Sequence, residues 1–319
     1  MKLRCAVLDD YQQVAATITD WTPVTDKVDV TTFHHHIDGE DALVDAIQDF
    51  DIVVAMRERT PFSASIFNRL PKLQLLVTTG MRNAAIDIAA ANAHNVTVCG
   101  TEGSSFATGE LTWALILGLA RHIVEENQTL RSGGRWQSTV GTDLYGRTLG
   151  VLGLGRIGSQ VARIGLAFGM RVVAWSQNLT AARAEEVGVE LAPSKEALLE
   201  SSDFVSIHLV LSDRTRGLIG QRELSLIKPS AYLINTSRAP IVDQNALIES
   251  LEQGRIAGAG LDVFEVEPLP PDHRLRTLPN VLATPHIGYV SEDTYRAWFH
   301  QVVEDIAAFL AGSPVRRVN

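Results

Sequence analysis

Residues 148–158 read TLGVLGLGRIG, an apolar run that leads directly into three closely spaced glycines. The run predicts a buried strand over Thr148–Gly153, and the apolar spacing after it predicts a helix over Ile157–Phe168. A Gly-x-Gly-x-x-Gly pattern between a strand and a helix is typical of loops that bind dinucleotides. The stretch therefore predicts an α/β unit in which a dinucleotide lies at the carboxyl edge of a parallel sheet.

Each glycine of this loop has a separate role in the predicted cofactor site. Gly153 permits the tight turn, Gly155 lets a pyrophosphate approach the main chain, and Gly158 lets the helix pack closely on the strand. The start of the helix, at Arg156 and Ile157, supplies N–H groups and a partial positive charge for the phosphates. We expect these five residues to form the cofactor loop.

The end of the next predicted strand leaves the choice between NAD and NADP open. Sites for NAD usually carry an acid about 20 residues past the glycines, where it binds the adenosine ribose. Ser176 stands at this point instead. Its hydroxyl does not repel a ribose 2′-phosphate, and Arg183 on the following helix is a candidate partner for that phosphate.

Short apolar runs alternate with helical patterns along most of the chain, which argues for parallel sheets covered by helices on both faces. The strands of a first series are predicted at Leu3–Leu8, Val28–Phe33, Asp51–Ala55, Leu75–Val77 and Val96–Val98, with helices at Ala42–Asp49 and Ala84–Ala93. A long helix is predicted from Ser105 to about Leu130. The strands of a second series follow at Thr148–Gly153, Arg171–Trp175, Phe204–His208, Ala231–Asn235, Ile256–Leu261 and Val281–Ala283. The last predicted helix, Glu292–Leu310, is left over and is expected to pack on the first unit.

The composition excludes several classes of protein. The 319 residues include 28 Lys and Arg against 37 Asp and Glu, which gives a net charge of −9. Hydrophobic residues make up 45% of the chain and charged residues 20%, which is ordinary for a globular protein of about two domains. Intrinsic disorder is excluded, and the acidic balance argues against a nucleic-acid partner.

Cysteine and histidine usage argues against a metal site. Cys5 and Cys99 each lie in a short apolar run typical of a buried strand and no Cys-x-x-Cys pair occurs, so we expect a reducing, cytoplasmic setting. His34 and His36 would share one face of a strand, but no third ligand stands near them. The most apolar helical run, Leu111–Ala120, is too short to span a membrane. We therefore expect neither a metal nor a membrane partner.

Polar side chains follow three predicted strands of the second series: Arg238, Glu267 and His286. Carboxyl ends of parallel strands share one edge of a sheet, so we expect these residues to lie near one another. Hydride transfer to a 2-oxo acid requires a cation for the carboxylate, which Arg binds through two N–H groups. It also requires a proton donor for the carbonyl oxygen, usually His near neutral pH, and a carboxylate can hold that His in place.

On these residues the chain resembles the D-isomer-specific 2-hydroxyacid dehydrogenases, a family that includes phosphoglycerate dehydrogenase. The similarity runs over nearly the whole length and is densest at Leu149–Gly158, Asn235–Asp243, Ala257–Pro268 and Asn280–Gly288. The resemblance implies a Rossmann cofactor domain, residues 101–287, inserted in a flavodoxin-like substrate domain made of residues 1–100 and 288–319. It also implies a homodimer that associates through the cofactor domains.

The resemblance assigns roles to single residues. Arg238, Glu267 and His286 match the catalytic Arg, Glu and His of the family. Thr108 matches a residue near the nicotinamide, and Asp262 matches an acid that contacts the nicotinamide carboxamide. The loop that holds the substrate carboxylate through main-chain N–H groups corresponds to Thr79, Gly80, Met81 and Arg82.

The sequence departs from the family pattern at three points. The substrate loop commonly reads Gly-Val-Gly, whereas here Arg82 ends it and either adds positive charge to the site or faces solvent. Gly288 is followed by Tyr289 where a second glycine is usual, so this ring is expected to line the substrate site. Ser176 replaces the ribose acid, which again leaves NAD and NADP open.

We therefore predict an oxidoreductase that interconverts a small anionic 2-oxo acid and a D-2-hydroxy acid with NAD or NADP. A formate dehydrogenase would share the fold, but that group typically pairs its His with Gln, and Glu267 argues against it. A methyltransferase that binds S-adenosylmethionine also uses a glycine-rich turn, but it has no use for the three polar residues. A nicotinamide-sensing corepressor or binding module can retain all of them and stays an alternative.

Overall fold

The computed structural model describes residues 2–103 and 106–319. The chain divides by its contacts into two compact units. Unit 1 comprises Met1–Ser104 and Ser291–Asn319, and unit 2 comprises Ser105–Val290. The chain thus begins in unit 1, passes through the whole of unit 2, and returns to unit 1 for its last helix.

Unit 1 is built on a five-stranded parallel sheet. Its strands are β1 Leu3–Val7, β2 Val28–Thr32, β3 Ile52–Ala55, β4 Leu75–Thr78 and β5 Thr97–Gly100. Its helices are α1 Thr22–Thr25, α2 Glu40–Ile47, α3 Ala64–Arg69, α4 Ile88–Ala93 and α12 Glu292–Leu310. The strand order β2-β1-β3-β4-β5 is flavodoxin-like and reverses between β1 and β3. Ligands of open parallel sheets bind beyond the carboxyl ends of the strands at such a reversal.

Unit 2 is built on a seven-stranded parallel sheet. Its strands are β6 Thr148–Leu152, β7 Arg171–Trp175, β8 Glu190–Leu191, β9 Phe204–Ile207, β10 Tyr232–Asn235, β11 Gly258–Leu261 and β12 Val281–Ala283. Its helices are α5 Phe106–Ala120, α6 Ile123–Arg131, α7 Arg156–Ala167, α8 Ala181–Val187, α9 Lys195–Ser201, α10 Gln221–Leu226 and α11 Gln244–Glu252. The strand order β8-β7-β6-β9-β10-β11-β12 is that of a Rossmann fold and reverses between β6 and β9.

The central strands are buried because they are apolar on both faces. Strands β3, β4, β6, β9 and β11 are buried at every residue. Continuous apolar runs of this kind are typical of parallel sheets that have helices on both faces. The predicted fold class, two doubly wound α/β domains, is confirmed.

Two predicted helices differ from the structure, and one short strand was not predicted. The long helix predicted from Ser105 to Leu130 is two helices, α5 and α6, because His122 between them has a left-handed φ of 51°. Ser105 itself lies outside the described residues. The helix predicted from Ala84 begins only at Ile88, because the Asp87 side chain caps it by accepting from the N–H of Ala90. The two-residue edge strand β8 is too short to leave a pattern in the sequence.

In unit 1, His34 and His36 each have a side-chain partner, and both cysteines are buried. His34 Nε2 bonds Thr32 Oγ1 at 2.8 Å, and His36 Nδ1 lies 3.2 Å from Asp9 Oδ1. Cys5 and Cys99 are buried free thiols. Within residues 2–103 and 106–319, no three His, Cys, Asp or Glu side chains are grouped as metal ligands would be. Over the same residues, no helix has both the length and the apolar character needed to cross a membrane.

Candidate active site

The glycine loop connects β6 to α7. Gly153 has a φ of 99°, and a Cβ built on it would lie 2.7 Å from the carbonyl oxygen of His208. A Cβ built on Gly158 would lie 1.9 Å from the carbonyl oxygen of Gly153. Both positions therefore require glycine, the first for its left-handed backbone and the second for the close approach of α7 to the loop.

The first turn of α7 fits a dinucleotide pyrophosphate. Gly155 is the N-cap residue and, as a glycine, offers no side chain to the N–H groups of Arg156 and Ile157. No described atom lies within 4 Å of a Cβ built on Gly155, so the main chain is open to an approaching phosphate. Free N–H groups and the helix dipole favour an anion at such a helix end. The residues present thus fit a nicotinamide cofactor.

The end of β7 carries no acid, and an arginine lies close to the glycine loop. Ser176 follows β7 and is half-buried. Arg183 on α8 donates from Nη2 to Ser159 Oγ on α7 at 3.0 Å, and its Nη1 lies 2.7 Å from Glu186 Oε2. The Arg183 guanidinium therefore packs against the first turns of the helix that begins at the glycine loop.

The three predicted catalytic residues follow neighbouring strands. The register pairs Asn235 with Leu261 and Leu261 with Ala283, so β10, β11 and β12 end level with one another. Arg238, Glu267 and His286 lie on the loops that leave these three strand ends. The expectation that one edge of the sheet presents all three loops is thereby met.

His286 and Glu267 form a direct pair. His286 Nδ1 lies 2.6 Å from Glu267 Oε2, while Glu267 Oε1 accepts from the main-chain N–H of Phe264 at 2.8 Å. Both side chains are partly exposed, His286 to 20% and Glu267 to 29%. The ring of Tyr289 meets the imidazole edge-on with centroids 5.5 Å apart. One nitrogen of His286 is thus held by a carboxylate whose own position is fixed.

Arg238 lies on a loop held by its neighbours. The side-chain amide of Asn235 donates to the carbonyl oxygen of Arg238 at 3.1 Å, and Asn235 Oδ1 accepts from the N–H of Ser237 at 3.0 Å. Arg238 Nη1 donates to the carbonyl oxygen of Ser237 at 2.8 Å. The loop main chain is therefore fixed at the end of β10, with the guanidinium half-buried beside it.

Asp262 and Thr108 both bond the segment that carries His286. Thr108 Oγ1 donates to the carbonyl oxygen of Gly288 at 3.0 Å. Asp262 accepts from the hydroxyl of Thr284 and from the N–H groups of Ile287 and Gly288. Burial raises the pKa of the Asp262 carboxyl, and these hydrogen bonds act against that increase.

The predicted substrate loop lies in unit 1, after β4. The N–H of Thr79 donates to the carbonyl oxygen of Ala55 at 3.0 Å, and the N–H of Gly80 donates to Thr101 Oγ1 at 2.9 Å. These two donors are therefore committed within unit 1. Of the four predicted residues, Met81 and Arg82, both exposed, are left as candidates for binding a carboxylate through the main chain.

Three further residues lie near these loops and were not predicted from the sequence. Arg57 donates from Nη1 to the carbonyl oxygen of Thr79 at 3.1 Å and lies so close to Gly80 that a side chain there would collide with it. Thr284 bonds Asp262 and follows β12 directly, a position that could have drawn attention to it. His208 follows β9 under the glycine loop, and burial lowers its pKa to about 4.

The fold and the site together indicate a nicotinamide-dependent dehydrogenase, and comparison with known proteins supports this class. Residues 113–288 match the family model of the D-isomer specific 2-hydroxyacid dehydrogenase, NAD binding domain. A glyoxylate reductase of Korarchaeum cryptofilum is 39% identical over 285 residues, which cover 87% of this chain and 85% of the relative. The crystal structure of a phosphoglycerate oxidoreductase from Vibrio cholerae has a TM-score of 0.93 at 35% identity, covering 98% of this chain and 100% of that one.

A D-3-phosphoglycerate dehydrogenase of Bacillus subtilis is 39% identical over 274 residues, 85% of this chain but 51% of the relative. The chain thus spans about half the length of that protein. The chain belongs to the D-isomer-specific 2-hydroxyacid dehydrogenase family. It is an NAD(P)-dependent oxidoreductase of the CH–OH group, which confirms the predicted enzyme class and overturns the methyltransferase alternative.

Proposed function

We propose that this enzyme interconverts a small 2-oxo acid and a D-2-hydroxy acid, with Arg238, His286 and Glu267 as its catalytic residues. The observation that carries the proposal is the 2.6 Å contact between His286 Nδ1 and Glu267 Oε2. A carboxylate on Nδ1 favours a proton on that nitrogen and leaves Nε2 to face a substrate oxygen. This is the arrangement that proton transfer to or from a carbonyl oxygen requires.

In the reducing direction, a nicotinamide cofactor held at the glycine loop would supply the hydride for the carbonyl carbon. His286 gives its Nε2 proton to the carbonyl oxygen, so that this oxygen becomes the hydroxyl of the 2-hydroxy acid. Glu267 stabilises the positive charge that His286 carries before the transfer, and the N–H of Phe264 keeps Glu267 in place. Arg238 binds the substrate carboxylate through two N–H groups and fixes the carbonyl relative to His286.

We assign the remaining substrate contacts to Tyr289 and, within the predicted loop Thr79, Gly80, Met81 and Arg82, to the main-chain N–H groups of Met81 and Arg82. The edge contact between Tyr289 and His286 supports a position of this ring beside the substrate. Glyoxylate is the first substrate to test, because a relative with 39% identity is a glyoxylate reductase. In this proposal, Arg82 adds positive charge for an anionic substrate.

We propose that the cofactor site accepts NADP as well as NAD. Two observations support this. Ser176 replaces the acid that would repel a ribose 2′-phosphate, and the Arg183 guanidinium packs on the first turns of α7. In this proposal the phosphates contact Gly153, Gly155, Arg156, Ile157 and Gly158, while the nicotinamide lies near Thr108 and Asp262.

We further propose a homodimer through the cofactor domain, in a cytoplasmic setting. Here residues 101–287 form the cofactor domain, and residues 1–100 with 288–319 form the substrate domain. Large apolar side chains stand exposed on α6 and on the segment after it: Ile123, Val124, Leu130, Trp136, Val140 and Tyr145. Burial of such residues against a second copy would remove them from water. Sedimentation of the wild type and of Val140→Asp tests this, with a monomeric wild type contradicting it.

The direct test of the reaction mixes the purified protein with NADH or NADPH and one 2-oxo acid at a time. Glyoxylate, hydroxypyruvate, pyruvate and bulkier 2-oxo acids form the substrate series, and loss of the reduced-nicotinamide absorbance is followed. We expect turnover with at least one small acid and with both cofactors. No oxidation with any pair would contradict the proposal and favour the corepressor or binding-module alternative. Oxidation of formate would favour the formate dehydrogenase alternative.

A further inference from the structure

We propose that Asp262 is a positioning residue that holds the segment carrying His286 in its working shape. The segment meant here is residues 284–288, called the histidine loop below. The inference rests on the proposed function, because it assigns Asp262 to the proton transfer by His286. It differs from a contact between Asp262 and the nicotinamide, which the family resemblance implies.

Three hydrogen bonds join Asp262 to the histidine loop, on both sides of His286. Asp262 Oδ1 accepts from Thr284 Oγ1 at 2.6 Å and from the N–H of Ile287 at 2.8 Å. Asp262 Oδ2 accepts from the N–H of Gly288 at 2.8 Å. One donor therefore precedes His286 by two residues, and the other two are the residues directly after it. A single carboxylate thus holds the histidine loop on both sides of His286.

His286 needs such support because its own backbone is unfavourable. It has a φ of 52°, in the left-handed region that residues other than glycine rarely adopt. Conformations of this kind persist only where surrounding contacts impose them, and they occur often at active sites. The bonds from Asp262 to residues 284, 287 and 288 are contacts of this kind. Without them, the loop would relax and the imidazole would leave its position opposite Glu267.

Asp262 is itself fixed by the sheet. Its N–H donates to the carbonyl oxygen of Asn235 at 3.0 Å, and the N–H of Thr284 donates to the carbonyl oxygen of Leu261 at 2.8 Å. Asp262 and its three hydrogen bonds to the histidine loop are called the clamp below. The clamp and the start of the histidine loop are therefore tied to the ends of β10, β11 and β12. Asp262 is buried, with only 1% of its surface exposed. Three donors around a buried carboxyl suit its ionised form, which only accepts hydrogen bonds.

The burial of Asp262 distinguishes a role in positioning His286 from a role in binding the nicotinamide. With 1% exposure, Asp262 offers almost no surface to a cofactor amide, whereas the donors to its side chain, Thr284, Ile287 and Gly288, all lie in the histidine loop. A residue that contacts the nicotinamide should change cofactor affinity when it is altered. A residue that positions His286 should lower kcat at saturating cofactor and substrate and leave cofactor affinity nearly unchanged.

Two variants test the clamp at different strengths. Asp262→Asn keeps the size but turns a donor toward one of the N–H groups that now bond the carboxylate. Thr284→Val keeps the shape of residue 284 and removes only the hydroxyl donor. We expect kcat to fall about 100-fold in Asp262→Asn, as a catalytic group displaced by about 1 Å would give. We expect a fall of about tenfold in Thr284→Val, the effect of one hydrogen bond to a charged group.

Asp203→Asn is the matched control, because Asp203 is also a carboxylate bonded to the sheet of unit 2. It accepts from the N–H of Thr148 at 2.8 Å and pairs with Lys228 at 2.9 Å, at the amino ends of β6 and β9. We expect a lower unfolding temperature in this variant with kcat unchanged. Cofactor dissociation constants come from fluorescence titration of each variant, without substrate. The double variant Asp262→Asn/Thr284→Val should lose little more than Asp262→Asn alone, because both changes break one clamp.

Three results would overturn the inference. The first is a large increase in the cofactor dissociation constant of Asp262→Asn with near-normal kcat at saturation. The second is full additivity of the two changes in the double variant. The third is unchanged kcat in Thr284→Val, which keeps the test decisive if Asp262→Asn does not fold. Failure of the proposed function gives a different result, since His286→Ala would then retain turnover whatever Asp262→Asn does.

Discussion

The carboxyl edges of the two sheets are both polar, but their polar groups are used differently. In unit 1, Asp9 follows β1 with its side chain only 1% exposed, and it accepts from Thr60 Oγ1 at 2.7 Å and from Tyr11 Oη at 3.1 Å. In unit 2, Glu267 and His286 bond each other while each keeps a fifth or more of its side chain exposed. The Asp9 side chain is thus buried among donors of its own unit, whereas the paired Glu267 and His286 of unit 2 stay partly exposed.

The two polar clusters differ in the groups that their buried carboxylates bind. Both edges contain a buried carboxylate, Asp9 in unit 1 and Asp262 in unit 2. Asp9 is bonded to groups from three different strand ends and ties them together. Asp262 is bonded to a single loop and gives that loop a strained shape that presents His286. The number of hydrogen bonds is similar, and what differs is whether they join several strand ends or hold a single loop.

The largest effect is expected from removing the imidazole of His286 in unit 2. His286→Ala should lower kcat about 1000-fold, because general acid catalysis contributes about 100-fold to 10,000-fold. Steady-state reduction of the best 2-oxo acid measures this. Cofactor affinity, measured by fluorescence titration, is the control and should stay within about twofold of the wild type. Near-normal turnover in this variant would show that His286 has no catalytic role and is a structural residue, like the polar residues around Asp9 in unit 1.

A smaller effect is expected at Arg238, where charge and geometry can be separated. Arg238→Ala should lower kcat/KM about 100-fold, because the substrate carboxylate loses its charged partner. Arg238→Lys keeps the charge but loses the two-pronged fit, so it should recover about tenfold of that loss. Most of the change should appear as a higher KM. Equal kcat/KM in Arg238→Lys and the wild type would argue against a two-pronged contact.

The architecture and the positions of the candidate residues after the strands of unit 2 could be predicted from the sequence, because both leave local patterns. Apolar runs mark the strands, the glycine spacing marks the cofactor loop, and Arg238, Glu267 and His286 each follow a strand. The bonds that hold these residues left no such pattern. The link from Asp262 to Thr284 spans 22 residues and depends on the register of β11 and β12. The break at His122 arises from one left-handed backbone angle.

The polar cluster of unit 1 is expected to affect stability and leave turnover unchanged. Thr60→Val removes the donor to Asp9 Oδ2 and leaves a buried acceptor without that bond, which costs about 1–3 kcal/mol. Urea unfolding should show this loss, with kcat within about twofold of the wild type. Ser63→Ala, which removes the N-cap of the neighbouring helix α3, is a control of about 1 kcal/mol. If kcat of Thr60→Val fell by more than its loss of stability explains, the polar cluster around Asp9 would have a role in catalysis.

A pH dependence of stability is also expected far along the chain in unit 1. Asp305 on α12 is fully buried, and its Oδ1 accepts from Arg316 Nε at 3.0 Å. Its Oδ2 has no hydrogen-bond partner among the residues that the structure describes. Burial raises the pKa of the Asp305 carboxyl to about 7, although the Arg316 guanidinium acts in the opposite direction. The ordinary value for an unfolded chain is about 3.9.

A raised pKa means that the folded state binds more protons than the unfolded state between about pH 4 and pH 7. The contribution of Asp305 is therefore fully present below about pH 4 and is lost as the pH rises through about 7. We expect the free energy of unfolding of the wild type, measured relative to Asp305→Asn, to fall over this range and to level off above about pH 8. Urea unfolding of both proteins at pH 5, 6, 7 and 8 measures it. Parallel curves for the wild type and Asp305→Asn would show that burial does not disfavour the ionised form of Asp305, and they would contradict this prediction.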